Sequence, residues 1–443
     1  MSEKYFIKTY GCQMNVYDSH RMAMMLEEMG YQKATSQQEA DLVLFNTCHI
    51  REKAAEKLFS DLGRALLIKN EREEKGLKTI IGVAGCVVQA EDEQILKRAP
   101  YVDFALGPLT YHRLPEILKQ IKYKKESGFV DTEFPAESKF DFLPENKAEG
   151  GCSFLAIQEG CNNFCTYCVV PYTRGVEYSR PVEDVIDEAK KLIETGTLEI
   201  NLLGQNVNSY HGEDKNGKER NLAYLLNRMA ELDGLKRLRY TTSYPADVDE
   251  DLIKCHRDIK ILMPYLHLPV QSGSNRILKA MNRRHTRETY IEVVSKLKEA
   301  NPKLEMSSDF IVGFPGETDD DFQKTLDLVD QIKYIQAFSF KYSKRPGTPA
   351  ATMENQVSEK VKKERLDVLQ TKLFELQDEF NQKCVGQTFD VLFEQKGRHK
   401  GQLIGRTPYM QNVHAMAKDE MMGKICKLKI LEATTNSLTG KVI

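Results

Sequence analysis

Residues 152–168 read CSFLAIQEGCNNFCTYC. The run CSFLAIQ has the apolar, period-two character of a strand, and Gly160 ends it just before Cys161, Cys165 and Cys168. Zinc sites and ferredoxin clusters usually supply a fourth ligand, and none lies nearby. Three thiolates on four irons would leave one iron open to a small molecule. The plainer alternative is three buried or zinc-binding cysteines, but a C-x3-C-x2-C loop at the end of a strand sits where barrel active sites form.

Downstream, LEINLLGQN, KRLRYTTSYP, ILMPYLHLPV, LEMSSDFIVGF and AFSFKYS repeat the strand pattern with helical segments between them. In PVEDVIDEAKKLIETG the residues Val182, Val185, Ile186, Ala189, Leu192 and Ile193 share one helical face, Pro181 suits the first turn and Gly196 ends it. Six strand-helix units predict a partial (β/α)6 barrel, since a full eight-unit barrel needs two more. Upstream, KYFIKTY, ADLVLFN and KTIIGVA alternate with amphipathic helices, a βαβαβ pattern that calls for an open parallel α/β sheet. The charged stretch from Lys122 to Gly151 reads as a linker. After the barrel, a charged helix from about Ser358 to Lys383 leads to TFDVLFEQKG, GQLIGRTPYM and GKICKLKILE, which fit a small β-barrel. The expected fold class is α/β, with domains at 1–145, 146–376 and 377–443.

Composition narrows the class. At 443 residues and 41% hydrophobic, the chain has material for several cores, which excludes disorder as the default. Neither a signal peptide nor a membrane-length apolar run is evident, so a cytoplasmic protein with no membrane partner is expected. Lys plus Arg (63) nearly balances Asp plus Glu (65), so any nucleic-acid surface has to be local. From Cys384 to Ile443 nine Lys and Arg face five acids. There Lys396, Arg398, Lys400 and Arg406 interleave with Tyr409, a mix of phosphate-pairing cations and a stacking ring; a solvated charged edge is the alternative.

Ten cysteines in such a chain point to thiols or metal ligands rather than a disulfide framework. Cys12, Cys48 and Cys86 each follow a predicted strand: IKTYGC, VLFNTC and GVAGC. The carboxyl ends of neighbouring parallel strands form a common crevice, so these three should converge although far apart in sequence. Gly11 and Gly85 would let the backbone come close to a bound cluster. The alternative is three unrelated buried thiols. Cys152, Cys255, Cys384 and Cys426 share no spacing and read as small hydrophobes. His256, His267 and His285 read as satisfied histidines rather than catalytic ones.

The loop Cys161, Cys165, Cys168, with Tyr167 before its last cysteine, resembles the radical S-adenosylmethionine superfamily. The whole chain resembles the methylthiotransferase family, through YGCQMNVYDS, NTCHIREKA, CVVPYTRG, NLLGQNVNSY, HLPVQSGSNRIL, DFIVGFPGE and FSFKYSKRPGTPA. These motifs look like the branch acting on prenylated adenosine in tRNA, the MiaB branch, and Gln13 and Met14 set the chain apart from two sister branches. Val176 and His49 depart from commoner residues, neither at a ligand position.

The resemblance implies two 4Fe-4S clusters, on Cys12, Cys48 and Cys86 and on Cys161, Cys165 and Cys168. It also implies two S-adenosylmethionine molecules, one a methyl donor and one cleaved to a 5′-deoxyadenosyl radical. The auxiliary cluster would supply sulfur, and the methylthio group would go to carbon 2 of N6-dimethylallyladenosine next to the anticodon. Gly204 and Gln205 match positions that contact the methionine moiety in such enzymes. With Tyr167, Gln271 and Asp309 they are candidates for binding S-adenosylmethionine, or else polar residues solvating strand ends. A terminal RNA-binding barrel of the TRAM type, a flavodoxin- or ferredoxin-type electron donor and a monomer are implied in the same way. The rivals are a methylthiotransferase for another base or a ribosomal protein, and a non-catalytic RNA-binding iron-sulfur sensor.

Overall fold

The computed structural model describes residues 2–48, 52–124 and 126–443. His49 lies outside them. The chain forms two units, one from residues 1–146 with Val169–Glu177 and one from residues 147–168 with Tyr178–Ile443. Among the described residues no helix is long and apolar enough to cross a membrane.

The first unit is built on a six-stranded, wholly parallel sheet in the order Gln32–Lys33, Lys4–Thr9, Leu42–Thr47, Ile80–Gly85, Phe104–Leu106, Phe129–Asp131. The strand LVLFNT is buried along its whole length. Leu42 and Leu44 join one apolar cluster while Val43 and Phe45 join another. A parallel sheet covered on both faces needs that continuous apolar run. The chain steps from the first strand to one edge and then returns to the other side for the third, which creates a topological switch between strands one and three. Open α/β sheets bind ligands at such a switch, beyond the carboxyl ends of the strands.

The linker expected from Lys122 to Gly151 is corrected here. The helix Leu114–Lys124 covers its start, and Phe129–Asp131 pairs with Phe104–Leu106 as the sixth strand. Lys139, within that stretch, is only 2% exposed, because Asp18 and the Pro108 carbonyl take its ammonium. A three-residue strand is too short to carry a period.

In the second unit Cys152–Ala156, Glu199–Leu203 and Arg237–Thr241 pair in parallel, as do Tyr265–His267, Glu305–Val312 and Gln336–Lys341. A parallel bridge from Leu238 to Leu262 links the two triplets. The result is six strands in sequence order, the expected partial barrel. The helix Val182–Glu194 buries Val182, Val185, Ile186, Ala189 and Leu192, as its spacing predicts. Each of its buried valine, isoleucine and leucine side chains contributes about 1.5–3 kcal/mol on burial.

The helix Glu359–Lys383, capped by the Ser358 side chain, lays Leu369 and Leu373 on the same core. A closed five-stranded barrel follows, in the order Thr388–Lys396, Gln402–Arg406, Asn412–Met416, Leu438–Val442, Ile425–Ala433. Asn412–Met416 and Leu438–Val442 were not anticipated. Each is five residues long and carries few large apolar side chains to mark it.

Buried charge joins the two barrels of this unit. Glu199 accepts from Arg237 at 3.2 Å and from Arg239 at 2.8 Å. The same arginines donate to the Arg406, Thr407 and Pro408 carbonyls. Burial alone would raise the Glu199 pKa, but the charges of Arg239 and Arg237 hold it below the usual range. Cys152, Glu199 and Glu394 bring possible metal-ligand atoms within 4.8 Å of one another. Arg237, Arg239 and Arg406 already occupy the two carboxylates, so a cation there would face three guanidiniums. This is an ion-pair network rather than a metal centre.

Candidate functional site

In the first unit the three expected cysteines stand at the carboxyl ends of adjacent strands and converge. Cys12 caps the helix Gln13–Glu28, and Cys86 opens the helix Cys86–Glu91. The positive end of a helix favours a thiolate, but burial outweighs this at Cys86 and raises its pKa. The Cys48 thiol hydrogen-bonds Cys12 and is the main reason the Cys12 pKa falls to about 6; burial opposes the shift and the charge of Arg174 adds to it. Asn15 accepts from the Cys12 Sγ at 3.2 Å and is itself bonded to Asn46.

Gly11 and Gly85 have φ of +113° and +99°. A Cβ on Gly11 would lie 2.2 Å from the Cys48 Cβ, and one on Gly85 would lie 2.3 Å from the Thr47 carbonyl oxygen. Both glycines are therefore required by the close approach of the cysteine-bearing turns. The donor set of three thiols fits an iron-sulfur cluster with one open iron.

In the second unit Cys161, Cys165 and Cys168 lie on the loop leaving the first barrel strand. The loop is anchored at several points. The Gly160 N–H donates to Gln205 Oε1 at 2.6 Å, and Thr166 N–H donates to the Met281 carbonyl at 3.1 Å. Thr166 Oγ1 donates to the Ala280 carbonyl at 2.9 Å. The Asn282 amide donates to the carbonyls of Asn163 and Phe164. Arg283 places an N–H 3.7 Å from the Cys165 Sγ and its guanidinium 4.1 Å from the centre of the Tyr244 ring. Tyr167 packs against the cluster of Ile277, Met281 and Phe314. Its hydroxyl pKa is raised by burial, with the nearby Cys165 adding to the effect.

The other expected pocket residues are placed as follows. A Cβ on Gly204 would meet Gln158 Oε1 at 2.6 Å, so the Gln158 side chain would have to shift to admit one. Gln205 is spent on the cysteine loop. Gln271 holds φ +74°, and its N–H donates to the Asp309 carbonyl at 2.9 Å. Asp309 lies within the strand Glu305–Val312 rather than at its end, with an oxygen 3.5 Å from His267 Nε2. Of the histidines read as satisfied, His256 bonds the Tyr240 hydroxyl at 2.6 Å, whereas both ring nitrogens of His285 are buried with no hydrogen-bond partner and burial pushes its pKa down to about 3.

On the terminal barrel, Arg398 and Lys400 are exposed in the hairpin between the first two strands. Lys396 pairs with Asp419 and Arg406 with Glu394. Tyr409 is half-buried, edge-on to Phe380 and Phe389, so much of its ring is spent on packing.

Arg174, Asp18, Lys139 and Arg283 were missed as site residues. One signal was available: on the helix Gln13–Glu28, Asp18 shares a face with Met14, Met22 and Met25, all buried. An acid on an apolar face signals a buried partner.

Residues 155–329 match the Radical SAM superfamily, residues 4–107 the Uncharacterized protein family UPF0004, and residues 382–443 the TRAM domain. A protein of Agrobacterium fabrum called tRNA-2-methylthio-N(6)-dimethylallyladenosine synthase is 56% identical over 446 aligned positions, covering 100% of this chain and 98% of the relative. A protein of the same name from Rickettsia canadensis is 54% identical and covered fully on both sides. Among solved structures, the radical S-adenosylmethionine methyltransferase TsrM from Kitasatospora setae gives a TM-score of 0.56 at 14% identity, over 79% of this chain and 74% of that one. The cobalamin-dependent S-adenosylmethionine radical enzyme OxsB gives 0.53 at 14% identity, over 85% and 58%. These two likenesses show a shared fold.

Proposed function

The chain belongs to the tRNA-2-methylthio-N(6)-dimethylallyladenosine synthase family, and we propose that its two three-cysteine sets hold two 4Fe-4S clusters with which it methylthiolates carbon 2 of N6-dimethylallyladenosine next to the anticodon. It is a radical S-adenosylmethionine enzyme. The observation that carries the proposal is the convergence of Cys12, Cys48 and Cys86 at a switch point in one unit, together with a complete three-cysteine loop in the sequence of the other. When bound, the central cluster supplies an open iron and an electron for splitting S-adenosylmethionine, and the auxiliary one supplies sulfur.

The residues of the chain do the holding. Thr166, Asn282 and Gln205 fix the loop of Cys161, Cys165 and Cys168, and Arg283 offers an N–H to Cys165. Tyr167, Gly204, Gln271 and Asp309 shape the barrel end around S-adenosylmethionine. Lys396, Arg398, Lys400 and Arg406 turn a positive face to tRNA phosphates, with Arg398 and Lys400 outermost. The same reading takes 1–145, 146–376 and 377–443 as functional domains, a flavodoxin- or ferredoxin-type protein as electron donor, and a cytoplasmic monomer.

Anaerobic reconstitution tests it. The parent should bind about eight irons, four per cluster. Replacing Cys161, Cys165 and Cys168 with Ala should halve the iron and abolish 5′-deoxyadenosine formation. A triple variant that kept all its iron would refute the assignment.

A further inference from the structure

The inner face of the partial barrel is polar along its middle strands. Side chains alternate between the two faces of a strand. Ile200, Leu202, Leu238 and Tyr240 join the core under the helices, so Glu199, Asn201, Arg237 and Arg239 turn the other way. Leu266, Met306, Phe310 and Val312 join the same core, which leaves His267 and Asp309 on the inner face.

The sixth strand, Gln336–Lys341, breaks this pattern. Its Ala337 packs on that core, so Gln336, Phe338 and Phe340 share the inner face. The Tyr265 hydroxyl donates to Gln336 Oε1 at 2.7 Å at the amino end of the strand. Phe338 and Phe340 follow towards the carboxyl end, where barrel enzymes bind their substrates. In parallel register they stand opposite Asp309 and Ile311, and the Phe338 ring lies T-shaped to His267 with centroids 6.1 Å apart. Each is nevertheless 44% exposed. The strand is the last of its sheet, at an edge that no further strand closes among the described residues.

Single exposed apolar residues are ordinary, but two phenyl rings at i and i+2 on one face make a continuous apolar surface in a polar surrounding. Such a surface gains free energy only by meeting another apolar group. S-adenosylmethionine and tRNA are polar or charged over most of their surface, and the isopentenyl chain on N6 is the largest wholly hydrocarbon group they carry. A base that reacts on an enzyme leaves its stack to enter the site, which brings its N6 substituent along.

We infer that Phe338 and Phe340 form the wall that receives the isopentenyl group, and so set the preference for prenylated over unprenylated adenosine. The inference rests on the proposed substrate and names the side chains that select it. The two rings touch the substrate away from the reacting carbon, so they are specificity residues rather than catalytic ones.

The test uses the full-length chain with both clusters reconstituted anaerobically. kcat/KM for methylthiolation is measured on one tRNA prepared with and without the prenyl group, and the ratio of the two values is compared between the parent and two double variants. Phe338→Ala with Phe340→Ala removes apolar contact from the prenylated RNA alone, so the ratio should fall at least tenfold, roughly what a hydrophobic pocket gains from a methylene or two. Phe338→Tyr with Phe340→Tyr keeps both rings and sets a hydroxyl against the hydrocarbon, so its ratio should fall as well. The alanine pair decides if it loads as much iron as the parent; otherwise the tyrosine pair decides. A deciding variant that kept the parent's ratio would overturn the inference, even if both RNAs slowed together, because rings stacked on the adenine itself would act on both alike. A parent ratio near one would instead refute the proposed substrate.

Discussion

Gly11→Ala should remove the auxiliary cluster while leaving the central one in place. At φ +113° an alanine is strained, and its Cβ would sit 2.2 Å from the Cys48 Cβ and 3.1 Å from the Sγ. Carbon atoms in contact stand about 3.5–4.0 Å apart, so Cys48 or its neighbour must shift by more than about 1 Å. Metal-ligand distances tolerate only about 0.2 Å. Backbone strain is a separate effect, about 1–2 kcal/mol for an L-residue in left-handed geometry, and Gly30 provides its control. Gly30 holds φ +89° with nothing within 4 Å of a built Cβ. Gly30→Ala should therefore carry the strain without the collision. Both variants should lose thermal stability, Gly11→Ala the more because it adds the collision to the strain. Only Gly11→Ala should drop to about half the parent's iron and stop making methylthiolated tRNA, while still releasing 5′-deoxyadenosine under strong reductant. Full iron and full product in Gly11→Ala would show that Cys48 is not held to ligand geometry, and the convergence argument would fail.

Two further outcomes are expected. If the substrate's isopentenyl group is buried on binding, each CH2 lost should cost about 0.8 kcal/mol, so unprenylated tRNA should turn over far more slowly in a side-by-side nucleoside assay; equal turnover would refute the proposed substrate. Glu317, bonded to Arg365 at 2.8 Å, is pushed up by burial from 4.5 to about 7, against the lowering effect of the Gly313 N–H and Arg365. A raised pKa gives stability that is complete below pH 4.5 and lost as pH rises through 7. The parent should thus lose more melting temperature than Glu317→Gln between about pH 5 and pH 8, at about 1.4 kcal/mol for each pH unit between the unfolded and folded values; parallel curves would show that Glu317 is ionised throughout.

Patterns that depend on one element were legible in the sequence. The apolar spacing of Val182 to Leu192 gives the helix, and Ser358 marks the start of the helix Glu359–Lys383 to the residue. The position of Cys12, Cys48 and Cys86 just past strands was enough to predict their convergence, because parallel neighbours share one end of a sheet. What depends on two distant elements was not legible. Phe129–Asp131 is a strand only because Phe104–Leu106 lies open beside it. Arg237 and Arg239 look like solvated cations until Glu199 and the carbonyls of the terminal barrel enclose them. Tyr409 looks like a free stacking ring until Phe380 and Phe389 pack edge-on against it.

Charge of this kind recurs at both cysteine sets. In the first unit the Arg174 guanidinium that hydrogen-bonds Cys86 is also paired with Asp18, which Lys139 shares. In the second, Arg283 faces Cys165 while its other contacts are uncharged: the Tyr244 ring and the Pro269 carbonyl at 2.6 Å. Both units thus set a guanidinium beside a cysteine thiol.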